Sequence, residues 1–171
     1  MSNDPEKEAI RIFGIAYAIA QQAHTGQFRR LPDGRPYFEH VKDVASFFPD
    51  WETKTVAILH DTIEDSKVTK DDLIRADIPT HIADAVFAMT KPKKTPQEEA
   101  AEDRDPALKR NNYLHYVASI VYANPLARKV KIADNYVNMR DLIACGTLDD
   151  EKRKQLNKYA ESIRILTEKN G

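Results

Sequence analysis

The string LHDTIED, residues 59–65, sets an imidazole beside a carboxylate and follows them with two more carboxylates. On a helix of 3.6 residues per turn, His60 and Asp61 point about 100° apart. Both can still reach one ion seated off the helix flank. Glu64 lies four residues after His60 and Asp65 four after Asp61, so in a continuous helix each stacks one turn further along. Ligands for an ion, with carboxylates nearby to handle protons, are the parts that metal-assisted hydrolysis requires. The bland reading is a solvated acidic helix end. Against it, Ile58 and Leu59 place the pair beside an apolar run, where ionisable groups are costly unless paired or metal-bound.

Few residues can complete such a site. The other histidines are His24, His40, His81 and His115, and spacing does not choose among them. Asp134 stands in KVKIADNYVNM, flanked by Ile132 and Ala133 in a stretch that otherwise reads as core. Two His and two Asp form a nitrogen and oxygen set that suits Mn²⁺, Fe²⁺, Co²⁺ or Zn²⁺ and leaves positions for water and substrate.

The elements that must position these groups read as helices. Ile12, Ile15, Ile19 and Ala23 recur at helical steps after Asp4 and Pro5, a capping carboxylate followed by proline, which predicts a helix over about 5–23. HTGQFRRLPDGRPY reads as a loop on its Gly26, Pro32, Gly34 and Pro36. Further helices are expected at 38–48, 53–64, 69–76 (from a Thr69 and Asp72 capping box), 80–89, 107–123, 125–144 and from about Thr147 to Lys169. Residues 91–106, rich in charge and proline, are expected to form a mobile loop.

Length and composition agree with that reading and exclude others. A chain of 171 residues, 42% apolar and 31% charged, suits one folded domain over 1–171. A net charge of -1 gives no basic face for a duplex, so no nucleic-acid partner is expected. The start, MSNDPEKEAIRIF, lacks the basic and apolar regions of a signal peptide, and no apolar run approaches the roughly 20 residues of a membrane span. A cytoplasmic protein without membrane contact is expected, with oligomerisation left open. The single cysteine, Cys145, reads as a packing residue.

Four segments in order now resemble a known family. AHTGQFRRLPDGRPY (23–37), PYFEHVKDVA (36–45), AILHDTIED (57–65) and KVKIADNYVNMRDL (129–142) look like the signature segments of the HD-type hydrolase domain of the RelA/SpoT alarmone family, and the layout is similar to its stand-alone small hydrolases. The resemblance implies an all-α HD-domain bundle of about seven to nine helices around one metal. It implies that His40, His60, Asp61 and Asp134 hold the ion, usually manganese, with other divalent transition metals as alternatives. It makes Glu64 and Asp65 the acidic pair that orients water and moves protons. Arg29 would meet the nucleotide and Asn138 its ribose and base. Lys131, three residues before Asp134, and Arg30 on the loop would neutralise phosphate. Asp141 would repel such a substrate if it pointed inward. The reaction implied is hydrolysis of the 3′-pyrophosphate of guanosine tetra- or pentaphosphate, degrading the signal and not making it. The alternatives are an HD phosphohydrolase for another nucleotide, such as a nucleoside monophosphate or dinucleotide phosphate, and a catalytically silent nucleotide-binding module.

His24 is expected to be structural, and His81 and His115 to lie at or near the surface. Tyr113, Tyr116 and Tyr122 read as core and rim, Lys91, Lys93 and Lys94 as a solvated basic run. Tyr37 and Tyr136, which adjoin ligand segments, are the better candidates for contact with a base.

Overall fold

A computed structural model describes residues 4–31 and 34–168. Pro32 of the expected loop and Lys169 at the expected end of the last helix lie outside the described residues. Ten α-helical segments follow in chain order: α1 (Pro5–Ala23), α2 (Tyr37–Ala45), α3 (Trp51–Leu59), α4 (Thr62–Asp65), α5 (Lys70–Arg75), α6 (Thr80–Met89), α7 (Pro96–Arg104), α8 (Pro106–Tyr116), α9 (Pro125–Ala144) and α10 (Asp150–Glu168). The only sheet-like pairing among the described residues is an isolated bridge between Phe28 and Pro36. The fold is all-α.

Side-chain caps set many of the helix starts. Asp4, Asp50, Asp105 and Asn124 each accept a bond from a backbone N–H in the first turn of α1, α3, α8 and α9, supplying partners that the helix itself lacks there. Capping boxes open α5 at Thr69 and α7 at Thr95. Gly146, at φ 84°, ends the turn after α9 in a conformation that favours glycine.

The core forms where apolar faces meet. On α1, Ile12, Ala16 and Ala20 are buried four residues apart, and the two alanines are small enough for close helix approach. α3 is the innermost element. Its Thr53 and every residue from Thr55 to Leu59 are buried, and it packs on α1, α2, α6 and α9. Its closing run, Val56 to Leu59, is apolar on every side, as suits a core. α9 also touches α2, α6 and α10, so ligand candidates on α2, α3 and α9 are carried by mutually packed helices. Among the described residues no helix is long and apolar enough to cross a membrane.

Three expectations need correction. The helix expected over 53–64 is broken at His60 and Asp61 into α3 and α4. The His60 Nδ1 lies 2.7 Å from the carbonyl oxygen of Ala57, and Asp61 sits at φ -100°, ψ -2°, between regular helix and turn. Residues 91–106 are not loop throughout, because α7 occupies most of them. The cause is local: Thr95 and Glu98 close a full capping box around Pro96, a start signal hidden inside a highly charged run. α7 buries Glu102, whose carboxylate meets Lys94 Nζ at 2.5 Å and Asn112 Nδ2 at 2.8 Å. Finally, the helix expected over 107–123 leaves α geometry after Tyr116 and continues as a π-helical stretch, Val117–Val121.

Candidate metal centre and cavity

His40 on α2, His60 and Asp61 at the α3/α4 break and Asp134 on α9 converge. His60 Nε2 lies 3.1 Å from Asp61 Oδ2 and 3.7 Å from Asp134 Oδ1. His40 Nε2 lies 3.2 Å from the same Asp134 oxygen and 3.9 Å from Asp61 Oδ2. Ligand atoms of His40, His60 and Asp61 all fall within 4.8 Å of one another. Both imidazoles are 0% exposed, and both Nε2 atoms lack a hydrogen-bond partner. A buried polar atom without a partner is costly. Here two of them point at two carboxylates.

The surroundings orient the set. His60 Nδ1 lies against the Ala57 carbonyl oxygen, so in the neutral ring Nδ1 carries the proton and the Nε2 lone pair is directed inward, the usual arrangement for a ligating histidine. Tyr37 Oη donates to Asp61 Oδ2 at 2.6 Å. Lys131 Nζ and Asn138 Nδ2 donate to the two oxygens of Asp134 at 2.9 and 2.6 Å. Electrostatics show what the cluster favours. Burial holds the His40 imidazole below its ordinary value despite Asp134. Burial acts the same way on His60, yet Asp61 and Asp134 outweigh it and raise that imidazole to about 10. Burial would raise Asp61, but His60 wins and holds it below the ordinary carboxylate range. The two carboxylates thus keep a positive charge between them. A divalent cation is such a charge, and the unpartnered Nε2 atoms are donors suited to it.

A cavity of about 640 Å³ opens beside the cluster. Asp61, Asp134, Glu64 and Asp65 border it, with Arg29, Arg30, Lys131 and Asn138. Asp65 is pushed up to about 6, first by partial burial and then by the Asp61 and Glu64 carboxylates. Its backbone carbonyl is held by Gln27 Nε2 at 2.8 Å. Glu64 pairs with Lys91, whose Nζ lies 2.6 Å and backbone N 3.2 Å from the carboxylate. Because the helix breaks at His60 and Asp61, Glu64 and Asp65 close the short α4, and the Asp65 amide still bonds the Asp61 carbonyl oxygen at 2.9 Å.

The basic side joins Lys131, expected from the sequence, to contributors that the sequence did not point to. Lys131 is buried against Asp134, and burial is overcome by that carboxylate to hold its ammonium well above the ordinary range. Lys91, expected to be solvated, lines the cavity, as do Gln155, Lys158 and Tyr159 of α10. Burial lowers the Lys158 ammonium to about 8, with Lys91 and Lys131 adding to the effect. No spacing in the sequence links α10 to LHDTIED. Tyr113 lines the cavity as well, whereas Tyr136 is exposed elsewhere, its ring 5.6 Å from that of Phe47. His24 lies outside the cluster, its Nδ1 2.8 Å from Gln27 Oε1, while His81 pairs with Glu52 on the surface and His115 is exposed. Asp141 does turn inward. Its carboxylate is 4% exposed and is met by Arg29, Arg35 and Arg140.

Known proteins resemble this chain in sequence and in fold. The HD domain family profile matches residues 16–164. A guanosine-3′,5′-bis(diphosphate) 3′-pyrophosphohydrolase of Vibrio cholerae is 32% identical over 157 residues, covering 90% of this chain and 20% of that protein. A human protein of the same name is 31% identical over 134 residues, covering 74% of this chain and 67% of the human one. The chain therefore spans about a fifth of the bacterial relative's length and two thirds of the human one's. A solved structure of a metazoan ortholog of SpoT, described as hydrolysing ppGpp, superposes with a TM-score of 0.71 at 23% identity, over 91% of this chain and 85% of that one.

Proposed function

The chain belongs to the HD-domain family, and from that premise we propose that it is a metal-dependent phosphohydrolase that removes the 3′-pyrophosphate of guanosine tetra- or pentaphosphate. One observation carries the reading: two buried imidazole nitrogens without hydrogen-bond partners face two carboxylates at the floor of a cation-rimmed cavity. The names of the bacterial and human relatives supply the substrate.

His40, His60, Asp61 and Asp134 would hold the ion, with manganese first among divalent candidates. When bound, the ion supplies Lewis acidity, polarising a phosphoryl oxygen and lowering the pKa of water. The chain's own residues do the rest. Lys131 and Asn138 fix the two oxygens of Asp134 and so set its orientation. Tyr37, whose phenol is kept neutral by burial and by Asp61, does the same for Asp61. Hydrolysis requires one proton to leave water and one to reach the departing ribose 3′ oxygen. Asp65, poised at about 6, is ionised at neutral pH and accepts the first, since a base near the working pH is the most effective. Glu64 stands beside it, tied to Lys91. Arg29 and Arg30 face the anionic substrate from the loop, and Lys158 from α10.

The test is direct. Purified protein supplied with Mn²⁺ and guanosine tetraphosphate releases pyrophosphate and GDP, a chelator stops the release, and Asp61→Ala abolishes it. Release that persists unchanged in Asp61→Ala, or no release by the wild type with any divalent transition metal, would contradict the proposal.

A further inference from the structure

The cavity's loop side is held by a charge cluster of which only Arg29 has a place in the chemistry above. Residues 27–31 and 34–37 form two facing arms joined by backbone bonds from Arg29 N to Arg35 O and from Tyr37 N to Gln27 O, each 2.9 Å. Both arms send a guanidinium to the same oxygen of α9. Arg35 Nη2 meets Asp141 Oδ2 at 2.5 Å and Arg29 Nη2 meets it at 3.3 Å. The other oxygen of Asp141 receives Arg140, through Nε at 3.1 Å and Nη2 at 2.8 Å. Asp43 on α2 closes the cluster, 3.4 Å from Arg35 Nη1 and 2.7 Å from Arg140 Nη2. Among the described residues, both oxygens of the buried Asp141 are thus met by guanidiniums, and Asp43 is shared by two of the same three arginines.

We propose that Asp141 is a positioning residue: its buried carboxylate draws both arms of the loop onto α9 and thereby fixes the direction in which Arg29 meets the substrate. Arg29 and Asn138 line the cavity, and Asp141 is not among the lining residues. The Arg29 side chain is 10% exposed and shares its Nη2 between Asp141 and Asn138 Oδ1, the latter at 3.0 Å. Asn138 in turn bonds Asp134. A free arginine has several rotatable bonds to immobilise on binding, and two fixed acceptors remove that loss in advance. The tether acts twice on Arg29, once through its guanidinium and once through Arg35, whose backbone oxygen holds the Arg29 amide. It also reaches the metal side, because the 34–37 arm ends at Tyr37, which bonds Asp61.

This inference rests on the hydrolase reading for its kinetic test, so the experiment has a second arm that does not. Asp141→Asn keeps the shape and removes the charge. In the metal-loaded protein, hydrogen exchange of the backbone amides of residues 27–31 and 34–37 is expected to quicken in Asp141→Asn while that of α3 stays unchanged. With guanosine tetraphosphate and Mn²⁺, KM is expected to rise about tenfold, the scale of one charge-assisted hydrogen bond, with kcat kept within about twofold. Asp141→Glu restores the charge and should recover most of the KM. Unchanged exchange in both arms, or a loss of kcat at constant KM, would overturn the proposal. If Asp141→Asn does not fold, Arg35→Gln removes the outer arm's guanidinium, with its bonds to Asp141 and Asp43. It is then expected to quicken exchange in the same arms, and unchanged exchange would count against the assignment. A wild type inactive on guanosine tetraphosphate would sink the hydrolase reading and leave the exchange result to decide this one.

Discussion

Asp134 and Asp141 stand seven residues apart on α9, two turns along one face, and both are 4% exposed. Their surroundings differ. Asp141 is met on both oxygens by guanidiniums that are themselves paired, and every contact is a directed hydrogen bond. Asp134 has directed partners in Lys131 and Asn138, yet it also faces two imidazole nitrogens that have none. One helix therefore carries a saturated carboxylate and an unsaturated one. The saturated carboxylate holds structure in place, and the unsaturated group is where a ligand belongs.

The contrast is broken first at the unsaturated end. Asp61→Ala or Asp134→Ala is expected to lower pyrophosphate release by about a thousandfold or more, the scale of losing an electrostatic stabiliser of the reaction. Removing the ion should destabilise the fold at the same place. At a hundredfold excess over its Kd an ion adds about 2.7 kcal/mol, so thermal unfolding with and without chelator should differ for the wild type and not for Asp61→Ala.

At the saturated end the largest effect should be on stability. Asp141→Ala leaves Arg29, Arg35 and Arg140 without their shared carboxylate. It is expected to cost about 3 kcal/mol, near the low end for breaking a buried pair because Arg35 and Arg140 open to water. Equilibrium denaturation would show it as a lower midpoint, and metal uptake should be retained. Equal loss of metal uptake in Asp141→Ala and Asp134→Ala would erase the distinction between the two carboxylates.

A smaller effect follows from Asp65. Its carboxyl is raised to about 6, so it is ionised above that pH and neutral below. A base of that kind predicts a rate that falls on the acid side of about pH 6, in a limb that Asp65→Asn removes. The sign for stability is the opposite one. A raised carboxyl contributes stability that is fully present below its unfolded pKa and lost as pH rises through about 6. Asp65→Asn should therefore stabilise the metal-free protein at neutral pH, by only about 1 kcal/mol because the side chain is open to solvent. Denaturation at pH 5 and pH 8 measures the difference. The smallest effect lies far from either carboxylate: Thr95→Ala opens the capping box of α7 and is expected to cost about 1 kcal/mol.

These differences explain what could be read in advance. The helices with a capped start and an apolar stripe, such as α1 and α9, were legible because both signals are local. So was the His60 and Asp61 pair, whose apolar neighbours announce burial. Asp134 also stood out by its apolar neighbours, but resemblance, and not spacing, chose His40 and joined the two to the pair, since their meeting depends on how α2 and α9 pack on α3. The break after Leu59 was hidden because the competing bond runs from a side chain to the backbone of Ala57. α7 was hidden by its charge. Lys158 and Tyr159 reach the cavity only through the docking of α10 on α9, which leaves no local trace. The partners of Asp141 were hidden for a related reason: a carboxylate beside a phosphate site looks repulsive until Arg35, 106 residues away in the chain, is brought to it.

The central claim is that His40, His60, Asp61 and Asp134 together hold one cation. Titrating metal-free protein with Mn²⁺ and following the free ion by electron paramagnetic resonance measures this without any substrate. One ion bound per chain in the wild type, and none at the same concentrations in Asp61→Asn or Asp134→Asn, is the predicted result. No stoichiometric uptake by the wild type, or equal uptake by all three proteins, would contradict it.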